Sequence, residues 1–297
     1  MSSKELGQIH TVNFYNVLDP DESDSLILNY DISGELCSQL QRMVRHGNFF
    51  KLVGLDMNLT AVGTLGGGQV SGYVRYFAPT RGRCEAYRSA FDAMRNVMKL
   101  QGINMTDNEM YDFRAGFNGK GETFLNGATI QNQATLDATN PLSLVSSSAG
   151  EPSVFGVHNA GVVPTSAGVS SSDLFQSGFN TMGVQATPTD FVFNDRALWT
   201  GNEHTASEEW EAIPFMMSWT PDTTDIATQF QFRPDPALYL AVMTGQLQVF
   251  IEEINVDGGA TTLELTSAVQ ISGWKSIMGN PDKKKRSSRG RRRKSKK

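Results

Sequence analysis

The chain has 297 residues, of which 39% are hydrophobic, and this is enough apolar material for a sizeable core. Its two cysteines, Cys37 and Cys84, lie far apart and outside any CxxC pattern, which argues against a disulfide framework or a zinc site. No stretch approaches the ~18 to 20 apolar residues that cross a bilayer, and the opening MSSKELGQIH lacks the apolar centre of a secretory signal. We therefore expect a soluble intracellular protein without membrane contact.

Charge divides the chain into two unequal parts. All 31 Asp and Glu residues lie at or before Asp282, whereas 11 of the 26 Lys and Arg residues lie in KKKRSSRGRRRKSKK, residues 283–297, which we call the basic arm. Residues 1–282 thus carry 15 cations against 31 anions, a net charge of −16, and the basic arm carries +11. An asymmetry of this kind is typical of a charged interaction tail.

The N-terminal third predicts strands, two helices and one hairpin. Residues 8–17 and 26–32 are expected to be strands on either side of an acidic turn, and residues 33–47 have helical spacing with Gly47 as the stop. Residues 49–63 alternate between polar and apolar side chains, which indicates a strand. Gly66, Gly67 and Gly68 then predict a turn into a second strand at 70–78, forming a hairpin, and apolar residues recur at helical spacing over 83–100.

The rest of the chain predicts long loops followed by more strands. Residues 115–205 are rich in Gly, Asn, Ser and Thr, and within them we expect 118–205 to be a loop-rich, surface-exposed region. Strand patterns return at 210–220, 228–234, 237–245, 246–256 and 262–274. The inventory predicts an all-β fold: an eight-stranded antiparallel jelly-roll sandwich with long loops, one or two short helices in the connections, and a disordered basic C-terminal arm. We assign 1–280 to this body and 281–297 to the tail.

Motifs for catalysis and for cofactors are missing from the sequence. The four histidines, at positions 10, 46, 158 and 204, have no metal-ligand spacing, and we expect them to be ordinary surface or half-buried residues. The glycines at 66–68 join two strands, whereas a dinucleotide loop leads into a helix. The acidic turn Asp19–Asp24 is the best cation candidate, but it lacks the central glycine and closing glutamate of a helix-loop-helix calcium site, so a solvated turn is favoured. No GxSxG motif occurs. We nominate no catalytic residue, metal or cofactor.

Large apolar residues allow two interpretations. The four tryptophans, at positions 199, 210, 219 and 274, and the run Phe215-Met216-Met217 are expected in the core. Some of them would instead serve as subunit contacts, since aromatic residues and methionine are enriched in the centres of interfaces.

The basic arm predicts contact with a polyanion. It has no apolar side chain to offset the entropy of ordering, and it would reach roughly 50 Å if fully extended. No aromatic residue follows Trp274, so binding is expected by phosphate neutralisation and not by base stacking. If every cation engages a single strand, the logarithm of the binding constant should fall with the logarithm of the salt concentration with a slope of about −8. The nucleic-acid-binding candidates are its eleven cations: Lys283, Lys284, Lys285, Arg286, Arg289, Arg291, Arg292, Arg293, Lys294, Lys296 and Lys297. Lys283–Arg286 and Arg291–Lys294 also suit a nuclear import signal, with import receptors as partners.

Taken together, the strand pattern, the Gly/Ser/Thr/Asn-rich connections and the basic arm resemble capsid proteins of small circular single-stranded DNA viruses that encode a Rep initiator. Residues 33–62, a short helix followed by HGNFFKLVGLDMNLTAV, look like the early helix-then-strand segment of smacovirus-type capsid proteins. Many such proteins carry the basic arm at the N-terminus, whereas here it is C-terminal. The resemblance implies a jelly roll that self-assembles into an icosahedral shell of about sixty copies around a single-stranded DNA genome, located in the virion and in the host nucleus.

Two other classes of function stay open at this stage. One is a non-viral β-sandwich binding module whose polybasic tail serves for nuclear import or for anchoring to a polyanion. The other is a carbohydrate-active enzyme that uses one of many acidic pairs, for which no residue is nominated.

Overall fold

The computed structural model describes residues 9–19, 26–61, 66–104, 111–118, 142–145, 153–155, 210–220, 226–235, 240–256 and 262–278. In chain order its elements are β1 (His10–Leu18), β2 (Leu26–Asp31), α1 (Ile32–Leu40), β3 (Asn48–Ala61), β4 (Gly68–Tyr76), α2 (Arg81–Leu100), β5 (Gly116–Asn118), β6 (Ser143–Val145), β7 (Glu211–Trp219), β8 (Ile226–Phe232), β9 (Ala241–Met243), β10 (Gln246–Val256) and β11 (Leu263–Ser276). The basic arm and most of 118–205 lie outside the described residues.

Two antiparallel sheets form most of the described structure. Sheet A has the order β1-β11-β3-β8, with β9 added to β3, and sheet B has the order β2-β10-β4-β7. The eight longer strands pair in a nested way: β1 with β11, β2 with β10, β3 with β8, and β4 with β7. The expected mostly-β, antiparallel fold is therefore confirmed. A short parallel ladder between β5 and β6 is an addition that the sequence did not indicate.

The two sheets face each other across one apolar core. Strand β11 alternates strictly between buried and half-buried positions over its first ten residues, and its inward side chains include Leu263, Leu265 and Val269. Because successive side chains of a strand point to opposite faces, this alternation lays one row against the facing sheet. Tyr30 of sheet B crosses the core and its hydroxyl lies 3.0 Å from the Ser267 hydroxyl of sheet A. Buried hydrogen bonds of this kind leave few polar groups unsatisfied between the sheets.

The predicted hairpin at Gly66–Gly68 is wrong. Strands β3 and β4 follow each other in sequence, but β3 belongs to sheet A and β4 to sheet B. Both strands already have two neighbours in their own sheets, β11 and β8 for β3, and β10 and β7 for β4. The connection therefore crosses from one sheet to the other instead of reversing within one sheet.

The sequence predicts both helices, but α1 is shorter than expected. Helix α1 begins after Asp31, whose side chain accepts a hydrogen bond from the Gly34 N–H, and it ends before Gln41, which has a φ of 50°. The predicted extension to Gly47 fails because the chain turns back here and the Val44 N–H bonds to the Cys37 sulfur at 3.0 Å. The helical spacing over 83–100 is confirmed by α2, whose 20 residues nevertheless make it longer than the short helices expected in the connections.

Two opposite ends of the two-sheet body have different contents. We call one end the arm end. It contains the start of β1, the end of β11, both helices and the turn between β9 and β10, and in sheet A it is marked by the pair His10 and Ile271. We call the other end the turn end. Here Leu18 at the end of β1 pairs with Leu263 at the start of β11, and Gly68 at the start of β4 pairs with Trp219 at the end of β7. A second apolar cluster at the arm end joins α2 to Phe113, Met243 and Ile277.

Candidate nucleic-acid interface

The eleven nominated cations of the basic arm lie outside the described residues, but the point from which the chain continues toward them is fixed. After β11, Ile277 is 2% exposed. Its N–H donates to the Gly47 carbonyl at 2.9 Å, and its carbonyl accepts from Arg88 Nη1 at 3.1 Å. Because both backbone groups of Ile277 are bonded, the chain leaves the body at a defined place between α2 and the loop before β3.

The first and last described residues lie at the same end of sheet A. His10 pairs with Ile271, and its ring lies 5.8 Å from the Trp274 ring. A segment that precedes β1 and a segment that follows β11 therefore start from neighbouring positions. Strand β11 continues for five residues past Ile271, to Ser276, so the C-terminal exit lies further out at this end than the start of β1, by about 3.3 Å for each residue of strand.

Cations of the body surround this exit point. Lys275 is the last but one residue of β11, Arg88 donates to the Ile277 carbonyl, and Arg45 is exposed two residues before Gly47. Other cations on elements of the arm end are Arg42, Lys51 and Arg81. Sequence reasoning missed this clustering because these residues are far apart along the chain, and only the fold brings their elements to one end.

Several acids at the arm end are occupied by internal arginines. Arg83, whose side chain is 6% exposed, pairs with Glu211 at 2.7 Å. Arg114 contacts Asp112 at 3.1 Å and Asp31 at 3.3 Å. These pairs fix α2 and the segment before β5 to the sheets, and the two arginines offset two of the three negative charges that would otherwise oppose a polyanion here.

The described residues at the turn end include the acids Asp19 and Glu264, whereas the described cations named above lie near the exit toward the basic arm. A phosphate chain is attracted to a local group of cations of this kind.

A buried polar network supports the arm end. His46 is fully buried and its backbone N–H donates to Asp112 Oδ2 at 3.0 Å. Gln246 Nε2 donates both to the Ala115 carbonyl at 2.7 Å and to His46 Nε2. Tyr87 donates its hydroxyl hydrogen to the Phe113 carbonyl at 2.6 Å, so it accepts from His46 Nδ1 at 3.3 Å. This pattern requires a neutral imidazole with its hydrogen on Nδ1.

The expectation of a surface or half-buried histidine is therefore wrong for His46. Burial lowers the pKa of His46 to about 4, with the charge of Arg114 acting in the same direction and those of Asp31 and Asp112 opposing it. Burial also raises the pKa of Tyr87 well above its usual value. No sequence motif marks the site, since its members come from four separate elements. His10 is half-buried, while His158 and His204 lie outside the described residues.

The remaining sequence predictions have mixed outcomes. Within the described ranges no three His, Cys, Asp or Glu side chains are grouped to hold a metal ion, and the acidic turn lies outside those ranges except for Asp19. Phe215 and Met217 are core residues as expected, whereas Met216 between them is 61% exposed. Trp210, Trp219 and Trp274 are half-buried, and Trp199 is not among the described residues. Neither α1 nor α2 combines the length and apolar character that a membrane-spanning helix requires.

Comparisons of this chain with protein-family models, with curated proteins and with solved structures found no match.

Proposed function

We propose that this chain is a viral capsid protein that self-assembles into a small icosahedral shell and packages single-stranded DNA through its basic arm. The observation that carries the proposal is the place from which the chain continues toward an arm of +11. Arg88 holds Ile277 there, and Lys275 and Arg45 lie within two residues of Ile277 and of its bonding partner Gly47. A subunit of a closed wall needs cations at the end that faces the packaged phosphate.

The strand order supports a jelly roll as the finer description of the fold. In a jelly roll, eight strands are laid out as nested antiparallel pairs and wrapped into two four-stranded sheets, and viral capsid and lectin domains are frequent users of this design. The pairs β1–β11, β2–β10, β3–β8 and β4–β7 follow that plan. Fold alone does not assign function, since many unrelated functions share one architecture.

The charge pattern supports the capsid proposal over a conventional nucleic-acid-binding module. A net charge of −16 on residues 1–282 repels nucleic acid at long range, so binding depends on a local cationic surface. The described cations around Ile277 supply such a surface next to the exit of the chain. The clusters Lys283–Arg286 and Arg291–Lys294 are proposed to serve a second use in nuclear import, before assembly places the arm inside the shell.

The proposal is tested by expressing the intact chain and a chain that ends at Asn280. Negative-stain electron microscopy and the absorbance ratio at 260 and 280 nm report closed particles and nucleic acid. We expect the intact chain to form particles that carry nucleic acid and the shortened chain to stay folded without it. An intact chain that stays a monomer at every salt concentration would contradict the proposal.

A non-viral binding module predicts another result in the same experiment. Its ligand site would lie on the body, so ligand binding would survive removal of the arm while no particle forms with either chain.

A further inference from the structure

The outer face of sheet B carries an apolar row that crosses all four strands. Ile27 of β2 pairs with Phe250 of β10, Phe250 pairs with Tyr73 of β4, and Tyr73 pairs with Pro214 of β7. Their neighbours Leu28, Val249, Val74 and Ile213 are buried in the core, so these four side chains point outward. Tyr73 is 37% exposed, and Met216, one outward position further along β7, is 61% exposed.

The outer face of sheet A has a different character. Its register aligns Asn13 with Ala268 and Asp56, and Tyr15 with Thr266 and Asn58. Gln229 and Gln231 continue these rows on β8. This face mixes amide, hydroxyl and carboxylate side chains with two exposed large ones on β1, Tyr15 at 57% and Val17 at 50%. The apolar side chains of sheet B instead lie in register across all four strands, which suits that face to a protein partner.

Charges on sheet B are placed on opposite sides of the apolar row. Arg75 lies one outward position toward the arm end from Tyr73, and its guanidinium stacks 3.8 Å from the centroid of the Phe250 ring. Glu253 pairs with Ser71, which lies one outward position toward the turn end from Tyr73. Glu252 sits in the irregularity beside it and is exposed. The face thus has a cation on one side of the row and acids on the other.

This arrangement is complementary to itself. Consider two copies whose sheets B face each other, related by a two-fold axis that runs parallel to the apolar row. The row of one copy then lies on the row of the other, and β4 faces β4 with its direction reversed. Arg75 of one copy therefore faces Ser71 of the other, and Glu253 lies beside that Ser71 on the neighbouring strand, about 5 Å away. The contact is isologous, and it contains the pair Arg75–Glu253 twice.

We propose that the outer face of sheet B binds the same face of a second copy of this chain, through the apolar row and two reciprocal Arg75–Glu253 pairs. This inference rests on the proposed function, to which it adds one of the subunit contacts. The partner is a second copy because the charges of the face match their own rotated image, whereas a partner of uniform charge would meet repulsion on one side of the row.

Two charge-reversal variants test the contact in the intact chain. Arg75→Glu places two carboxylates opposite each other in both pairs of the two-fold contact, and Glu253→Arg places two cations opposite each other. Each variant alone is expected to associate at least ~10-fold more weakly than the parent chain. An equimolar mixture restores both pairs, because the carboxylate introduced in one variant then faces the guanidinium introduced in the other. Association of the mixture should return to within about 3-fold of the parent.

The measurement is sedimentation velocity of nuclease-treated protein, with circular dichroism to show that each variant is folded. Glu264→Arg is the matched control, because it makes the same charge change on the outer face of sheet A, and it should associate like the parent. Met216→Ser provides a variant without a change of charge, and its association should weaken. Three results would each overturn the contact. They are single variants that associate as strongly as the parent, an equimolar mixture whose association stays weak, and a Glu264→Arg control that associates as weakly as Glu253→Arg.

Nucleic-acid content separates this inference from the proposed function. The basic arm is unchanged in every variant, so the untreated samples should retain nucleic acid as the parent does. A parent chain that forms particles with nucleic acid while all variants assemble normally would leave the proposed function intact and refute the sheet B contact. A parent chain that neither associates nor retains nucleic acid would contradict both.

Discussion

Lowering the pH should weaken the arm end through one side chain, His46. The folded protein holds the imidazole neutral between Gln246 and Tyr87, and its Nε2 accepts from the Gln246 amide. Protonation would place a new Nε2–H against the amide group of Gln246, which is itself held by the Ala115 carbonyl. Burial and Arg114 together keep the pKa of His46 at about 4, compared with about 6.5 in an unfolded chain.

The size of the effect follows from these two pKa values. Between pH 6.5 and pH 4 the unfolded chain binds a proton at His46 and the folded chain does not, so stability falls as the pH falls through this window. The free energy of unfolding should decrease by about 2 kcal/mol between pH 7 and pH 5 from this residue alone, and by on the order of 3 kcal/mol once the pH is below 4. Well above pH 6.5 the contribution of His46 is fully present and constant.

Urea unfolding at pH 7 and pH 5, followed by tryptophan fluorescence, measures the difference. His46→Gln is the comparison variant because glutamine cannot titrate, and its lower overall stability does not enter the pH dependence. The parent chain should lose about 2 kcal/mol more than the variant between the two pH values. Equal losses in the two proteins would refute the account of a neutral, buried His46.

Other perturbations have equally definite outcomes. A chain that ends at Asn280 should keep its circular dichroism spectrum and thermal midpoint. It should lose the steep salt dependence of single-stranded DNA binding, for which the plot of log binding constant against log salt concentration has a slope of about −8 in the intact chain. A spectrum of an unfolded chain would show instead that the arm is structural. Gly72→Ala should cost about 2 kcal/mol or more in denaturant unfolding, because the added Cβ would overlap the Phe250 carbonyl oxygen of the next strand; an unchanged midpoint would contradict this packing. Arg83→Met should lower the free energy of unfolding by about 2 kcal/mol because it leaves Glu211 without its buried partner. Adding Glu211→Gln should recover part of that loss, and a double variant less stable than the single one would argue against the pair.

Local patterns in the sequence predict the strands well but not their arrangement. The alternation in residues 49–63 corresponds to β3, and that in 262–274 corresponds to β11, because a strand with one buried face requires period two. The pattern does not say which sheet a strand joins. Three glycines between β3 and β4 suggested a hairpin, yet each strand finds its partners among residues more than a hundred positions away.

The candidate site was predictable only in part. The charge of the basic arm is visible in the sequence because its cations are nearly consecutive. The cations around Ile277 and the network of His46 come together only through the fold. Asp112, Tyr87 and Gln246 reach His46 from three elements, and no spacing along the chain marks them as neighbours.

Size-exclusion chromatography of the intact chain, with absorbance recorded at 260 and 280 nm and with light scattering for mass, tests the central claim most directly. The capsid proposal predicts a particle of many subunits whose absorbance ratio shows bound nucleic acid, and a chain ending at Asn280 that lacks this nucleic acid. A peak with the mass of one chain and the absorbance ratio of protein alone, at low and at high salt, would contradict it.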